Sequence, residues 1–192
     1  MTADAFANVN RPFLIIVTGR PGAGKTTFAN ALGRAACLPV ISRDGVKEGF
    51  VHTLRGGPMP EDANLIATNV FFDVLETFIH RGVSVIAEAA FQHSLWEARL
   101  KPFFDRAEIR LCVCLPGSDD LARQRYIRRG LDDPRRERFH GDPGVDAARR
   151  GLAPALTEYA PPRLPVPTYN IDTTGDYRPS LDELIPLLLG GE

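Results

Sequence analysis

The chain has 192 residues, with 23 Lys and Arg against 24 Asp and Glu and a formal net charge of −1 at pH 7. That balance excludes a global electrostatic footprint for nucleic acid or an anionic membrane and leaves room only for a local basic patch. The length suits one domain spanning residues 1–192, with a substantial core and an inserted mobile segment.

Cys37, Cys112 and Cys114 have no metal-ligand spacing, and the last two alternate along an apolar run, as buried thiols in a reducing compartment do. Residues 1–11 lack a basic region followed by an apolar core, and no apolar stretch approaches ~20 residues, so the expectation is a soluble, cytoplasmic protein.

In chain order, the run 13–18 reads as a buried strand, and Gly19-Arg20-Pro21-Gly22-Ala23-Gly24-Lys25-Thr26-Thr27 then fits G-x-x-x-x-G-K-[ST] at every fixed position. A helix is predicted over 25–36, which completes a strand–loop–helix context. Glycines let successive backbone N–H groups turn inward around a phosphate, and the helix adds its positive N-terminal end. Lys25 then offers a cation to the β and γ phosphates, and Thr26 a hydroxyl to Mg²⁺. These nine residues predict a nucleoside triphosphate site.

A second strand over 38–41 leads to Ser42-Arg43-Asp44 at the carboxyl edge of the sheet, where ligands of open parallel sheets gather. Asp44 there is either a general base for an acceptor hydroxyl or an N-cap for the helix predicted over 44–54; Arg43 would orient an acceptor or shield charge. The stretch 55–60 is a loop, and a helix over 61–81 closes at Arg81-Gly82. The third strand, 83–87, ends in Glu88, a candidate for Mg²⁺ through water or for the acceptor, with an ion pair at a strand end as the structural alternative. Phe91, Gln92 and Trp96 read either as an acceptor pocket or as ordinary packing, and His93 as a hydrogen-bonding residue without ligand partners.

A helix over 94–106 and a strand over 109–115 precede a helix over 118–130. From Arg123 to Arg150 the chain carries nine arginines, a density suited to a lid of about 130–145 that closes on the triphosphate. Interspersed acids make a solvated, ion-paired helix the alternative for most of them. Further elements are a helix over 144–159, a stiff Pro-rich connection over 160–165, a strand over 166–171 and a helix over 180–189. Strands alternating with helical segments predict an α/β sandwich with a parallel sheet.

The combination of Gly19–Thr27 with Ile41-Ser42-Arg43-Asp44 resembles the small P-loop kinases of the group that contains polynucleotide kinase, chloramphenicol phosphotransferase, gluconate kinase and zeta-toxin-like proteins. The resemblance implies a three-layer α/β/α fold with a five-stranded parallel sheet in the order 2-3-1-4-5, and transfer of the γ-phosphoryl of ATP to a hydroxyl. It places the general base at Asp44, the paired lid arginines at Arg125 and Arg129, and an adenine contact at Thr173. The expected function is an ATP- and Mg²⁺-dependent kinase acting on a small hydroxyl-bearing molecule, with GTP as an alternative donor. A nucleoside or nucleic-acid 5′-hydroxyl kinase, and an ATP-binding regulatory module without transfer, are the alternatives.

Overall fold

The computed structural model describes residues 11–133, 139, 143–152 and 159–190. Five strands, β1 (Phe13–Thr18), β2 (Val40–Ser42), β3 (Val85–Glu88), β4 (Glu108–Leu115) and β5 (Thr168–Asp172), form one sheet in the order β2-β3-β1-β4-β5 with every pairing parallel. The helices are α1 (Lys25–Ala36), α2 (Arg43–Thr53), α3 (Ala63–His80), α4 (His93–Leu100), α5 (Asp119–Asp132), α6 (Pro143–Arg149) and α7 (Leu181–Leu189). The α/β fold is that expected from the sequence, and the strand order is the one the resemblance implies.

Strand β1 explains why its run is apolar without alternation. Leu14 and Ile16 face a core with Phe71, Leu75 and Trp96 of α3 and α4, while Ile15 and Val17 face a second core with Phe28 and Leu32 of α1 and Leu184 and Leu188 of α7. Successive side chains of a strand point to opposite faces, so a sheet covered by helices on both sides needs an apolar residue at every position. Cys112 and Cys114 lie in the second core, and burial pushes both thiols well above their ordinary pKa.

The element boundaries move where backbone chemistry requires it. Strand β2 runs to Ser42 rather than stopping at 41, because Ser42 pairs in register with Glu88. Strand β3 starts at Val85, after a turn in which Gly82 has φ +72°. Helix α4 ends at Leu100 and gives way to a 3₁₀ turn over Lys101–Phe103, since Pro102 has no N–H to continue it. In the helix predicted over 144–159, α6 ends at Arg149 and Gly151 follows with φ +71°; residues 153–158 lie outside the described residues, as do 134–138 and 140–142 of the expected lid.

The consequence for function is the carboxyl edge. Val17 and Ser42 both stand opposite Glu88 in the ladder, so the ends of β1, β2 and β3 lie side by side where the first loop begins. No helix among the described residues is long and apolar enough to cross a membrane.

Candidate active site

The loop between β1 and α1 is shaped for a phosphate. Gly24 caps α1 in the left-handed region, at φ 78° and ψ 10°, with no side-chain cap and no acid in the first turn. The orphan N–H groups of the helix start are therefore left for an anion. Gly22, at φ +80°, packs so closely on α5 that a Cβ there would fall onto the carbonyl oxygen of Ala122. Beneath the loop, Thr173 is 6% exposed; its hydroxyl stands 2.8 Å from the Ala23 carbonyl and 3.0 Å from that of Leu115. Arg20 forms an ion pair with Asp119 at the start of α5.

Lys25 is buried and its Nζ donates to the Arg20 carbonyl at 3.1 Å. Burial lowers the pKa of this ammonium, and the charges of Glu88 and then Asp44 oppose the shift. Glu88, 3% exposed, accepts from Ser42 Oγ at 2.7 Å. Burial raises the Glu88 pKa above its ordinary 4.5, while Lys25 and the hydroxyl bonds from Ser42 and Thr26 pull it down. The structure thus resolves Glu88 as a buried carboxylate partnered by a hydroxyl and a lysine, with no arginine pair among the described residues.

Asp44 occupies the first turn of α2, and the cap of that helix is Ser42, whose Oγ accepts from Gly45 N at 3.4 Å. The capping role considered for Asp44 is therefore filled by another residue. Its carboxylate is 45% exposed and lies 3.6 Å from Arg43 Nη1.

These groups meet in one cavity of about 280 Å³, lined by Gly22, Gly24, Lys25, Thr26 and Thr27 of the first loop and α1, by Arg43, Asp44 and Lys47 of α2, and by Glu88 and Arg129. Asn64, Ala90, Tyr126, Gly130 and Val145 also line it. Thr26 and Glu88 offer hard oxygen donors, and no group of three or more His, Cys, Asp or Glu residues gathers to hold a metal among the described residues. That donor set fits Mg²⁺, which keeps several waters and is held largely by substrate phosphates rather than by an all-protein cage.

Several expected site residues stand elsewhere. Trp96 has no exposed surface; it packs against Phe71, Phe72 and Phe91, and its indole N–H donates to Thr18 Oγ1 at 3.3 Å. The aromatic wall expected from Phe91 and Trp96 is instead core, because burying such large rings outweighs offering them to solvent. Gln92 accepts from Ala160 N at 3.0 Å and does not line the cavity. Arg125 also lies off the cavity lining: its Nη1 and Nη2 donate to the carbonyls of Thr173 and Thr174 at 2.9 and 2.8 Å. Arg123, Arg128 and Arg149 pair with Asp120, Asp132 and Asp146, as the ion-paired alternative expects.

The sequence reading missed Lys47, Asn64, Tyr126 and Val145. Lys47 was legible: it stands four residues after Arg43 and three after Asp44, on one helical face. Tyr126 has the same relation to Arg129. Asn64 and Val145 carry no local signal, since only the packing of α3 and α6 brings them in.

A search of curated proteins found no match. Among solved structures, a candidate kinase from Chloroflexus aurantiacus J-10-fl is 25% identical, with a TM-score of 0.77 over 95% of this chain and 100% of that one. The APS kinase of Mycobacterium tuberculosis, solved with AMPPNP and APS, is 17% identical with a TM-score of 0.60 over 94% and 96% of the two chains. A gluconokinase from Sinorhizobium meliloti 1021 is 16% identical with a TM-score of 0.51 over 96% and 93%. The last two likenesses bear on fold alone. The family model described as an AAA domain matches residues 14–143, which include the phosphate loop, Asp44, Glu88 and Arg129, and the chain therefore belongs to that family, in the group of small P-loop kinases.

Proposed function

We propose that this protein transfers the γ-phosphoryl of ATP to a hydroxyl of a small-molecule acceptor, with Asp44 as the general base. The supporting observation is the convergence of Lys25, Thr26, Asp44, Glu88 and Arg129 on one cavity at the carboxyl edge of the sheet. The loop N–H groups and the start of α1 seat the β and γ phosphates. Lys25 and Arg129 place positive charge beside the phosphoryl oxygens, where it stabilises charge in transfer.

The half-exposed Asp44 carboxylate takes the proton of the acceptor hydroxyl as that oxygen attacks the γ phosphorus in line, and the bond to the β-phosphate oxygen breaks to release ADP. Thr26 and Glu88 are the residues to hold Mg²⁺, which when bound neutralises charge on the phosphates. Glu88 also holds Ser42, and so fixes the end of β2, which leads directly into the first turn of α2 where Asp44 stands. Arg125 acts as a positioning residue, tying α5, which carries Arg129, to the loop after β5.

The test is ATP-dependent transfer with Mg²⁺ to a pooled set of hydroxyl-bearing metabolites, nucleosides, 5′-hydroxyl oligonucleotides and antibiotics, read as acceptor mass gain, with Asp44→Asn as control. A gain of one phosphoryl group that vanishes in the variant is the expected result. Activity confined to base-bearing acceptors would move the reading to a 5′-hydroxyl kinase. ATP binding with no acceptor in the pool would favour a regulatory module.

A further inference from the structure

Besides the cations assigned to the triphosphate, the cavity holds two more on one helix. Arg43 and Lys47 are four residues apart in α2, so they share a face, and both line the cavity beside Asp44. Arg43 is partly engaged: Nη2 donates to the carbonyl and the Oδ1 of Asn64 at 3.1 and 2.9 Å, and Nη1 lies 3.6 Å from Asp44. Its Nε is buried and meets no acceptor among the described residues. Lys47 is 6% exposed, and its ammonium makes no hydrogen bond or salt bridge among the described residues.

A largely buried lysine next to a guanidinium is unfavourable unless something negative completes it. Burial and then the Arg43 charge depress the Lys47 pKa, with Asp44 opposing. Asp44 alone is a poor counterion here, since it already pairs with Arg43 and is half in solvent. The cavity is lined by four cations, Lys25, Arg43, Lys47 and Arg129, against two acids, Asp44 and Glu88. Lys25 and Arg129 answer the triphosphate, which leaves the α2 pair with the half-exposed Asp44 as its counterion among the described residues.

We infer that Arg43 and Lys47 form an anion subsite for the acceptor, so that the molecule phosphorylated carries a carboxylate or a phosphate close to its reacting hydroxyl. The inference rests on the kinase reading, with Asp44 at the hydroxyl. Arg43 Nη1 lies 3.6 Å from the Asp44 carboxylate, so an anion on Arg43 and a hydroxyl at Asp44 are separated by only a few bonds, as in a hydroxy acid or a small sugar phosphate. A neutral polyol would leave Lys47 and the Nε of Arg43 buried and unmatched.

Two measurements on the full chain test this. The first titrates inorganic sulfate, and separately acetate, into protein saturated with AMPPNP and Mg²⁺, and reads the thermal midpoint for wild type, Lys47→Met and Lys47→Arg. Anions are expected to stabilise wild type and Lys47→Arg but not Lys47→Met, a variant that removes an unpaired buried charge and so retains the fold. Equal stabilisation of all three proteins overturns the subsite.

The second compares phosphoryl transfer to matched acceptors: neutral polyols, the corresponding sugar acids, and their phosphate esters, which separate carboxylate from phosphate. An anionic acceptor is expected to be preferred by at least about tenfold in kcat/KM, and Lys47→Met to erase that preference through KM, by about ten- to a hundredfold, with kcat changed far less. Equal use of the neutral acceptor, or a preference that survives Lys47→Met, overturns the inference. If no acceptor is phosphorylated while anion binding still depends on Lys47, the transfer reading fails and the anion subsite stands.

Discussion

Ser42 Oγ donates to Glu88 Oε2 at 2.7 Å, a bond that joins the ends of two neighbouring strands at the point where both leave the sheet. One carboxylate is thereby shared between a structural partner on β2, the Thr26 hydroxyl on α1 and the charge of Lys25. The phosphate loop and the residue pair that precedes Asp44 are coupled through it.

That coupling has a pH signature. The folded pKa of Glu88 is raised above 4.5, so between 4.5 and the raised value the folded state binds more protons at this site than the unfolded chain does. Its contribution to stability therefore falls as pH rises through that window. Glu88→Gln removes this component. The drop in thermal midpoint from pH 4.5 towards neutrality should be smaller in Glu88→Gln than in wild type, measured by calorimetry in matched buffers; identical profiles would place the Glu88 pKa at its ordinary value.

Asp44 and Ser42 separate chemistry from capping. Ser42 is the cap of α2, so Ser42→Ala should cost about 0.5–2 kcal/mol of stability. Asp44→Asn loses the favourable interaction of an acid with the helix start, about 0.3–1 kcal/mol, and the contact of its charge with Arg43, but should lower kcat by about 10²–10⁴ while ATP affinity stays within a few-fold. Equal losses of stability in the two variants, with turnover retained in Asp44→Asn, would return Asp44 to a structural role.

The resemblance implies that Arg125 and Arg129 are a pair of lid arginines, yet the two do different work. Arg125 spends its guanidinium on the Thr173 and Thr174 carbonyls, whereas Arg129 lines the cavity. Arg125→Ala should lower stability by about 1–3 kcal/mol through two lost charge-assisted bonds. Arg129→Ala should leave the thermal midpoint nearly unchanged, since the residue is exposed, and reduce kcat by about 10²–10³ as for loss of one charge-stabilising donor. Denaturation curves and steady-state kinetics on both variants distinguish the roles, and a reversal of the two patterns would exchange them.

What the sequence disclosed follows from the range of each signal. The phosphate loop, the buried strands and the placement of Asp44 and Glu88 at strand ends are local patterns: a fixed spacing, an apolar run buried on both faces, and an acid at its end; the strand order is not local and came only as what the resemblance implies. Trp96 was ambiguous because an aromatic residue after a strand has the same local appearance whether it meets a ligand or, as here, Thr18 and Phe71. Thr173 was legible as a residue after the last strand, but its hydrogen bond to Ala23, 150 positions away, depends on the closed fold. Asn64 reaches the cavity only because α3 packs on α2 and holds Arg43 through it.

The phosphate loop is held in shape from outside as well as by its own glycines, and one substitution isolates that support. A Cβ on Gly22 would coincide with the backbone carbonyl of Ala122, and Gly22 also has φ +80°, a conformation unfavourable for alanine. Backbone cannot step aside as a flexible side chain can, so Gly22→Ala must push α5 off the loop or bend the loop away from it. Either movement displaces Arg129, which α5 carries into the cavity. Gly22→Ala should therefore cost several kcal/mol, by about 1–2 for the left-handed conformation plus the steric displacement, and weaken nucleotide binding. Gly49→Ala is the matched comparison: Gly49 is exposed within α2 and a Cβ there meets nothing within 4 Å, so that change should stabilise by about 0.5–1 kcal/mol. Urea melts of the two variants, with AMPPNP binding by calorimetry, give the comparison, and a Gly22→Ala protein as stable as wild type with unaltered binding would show that α5 does not brace the loop.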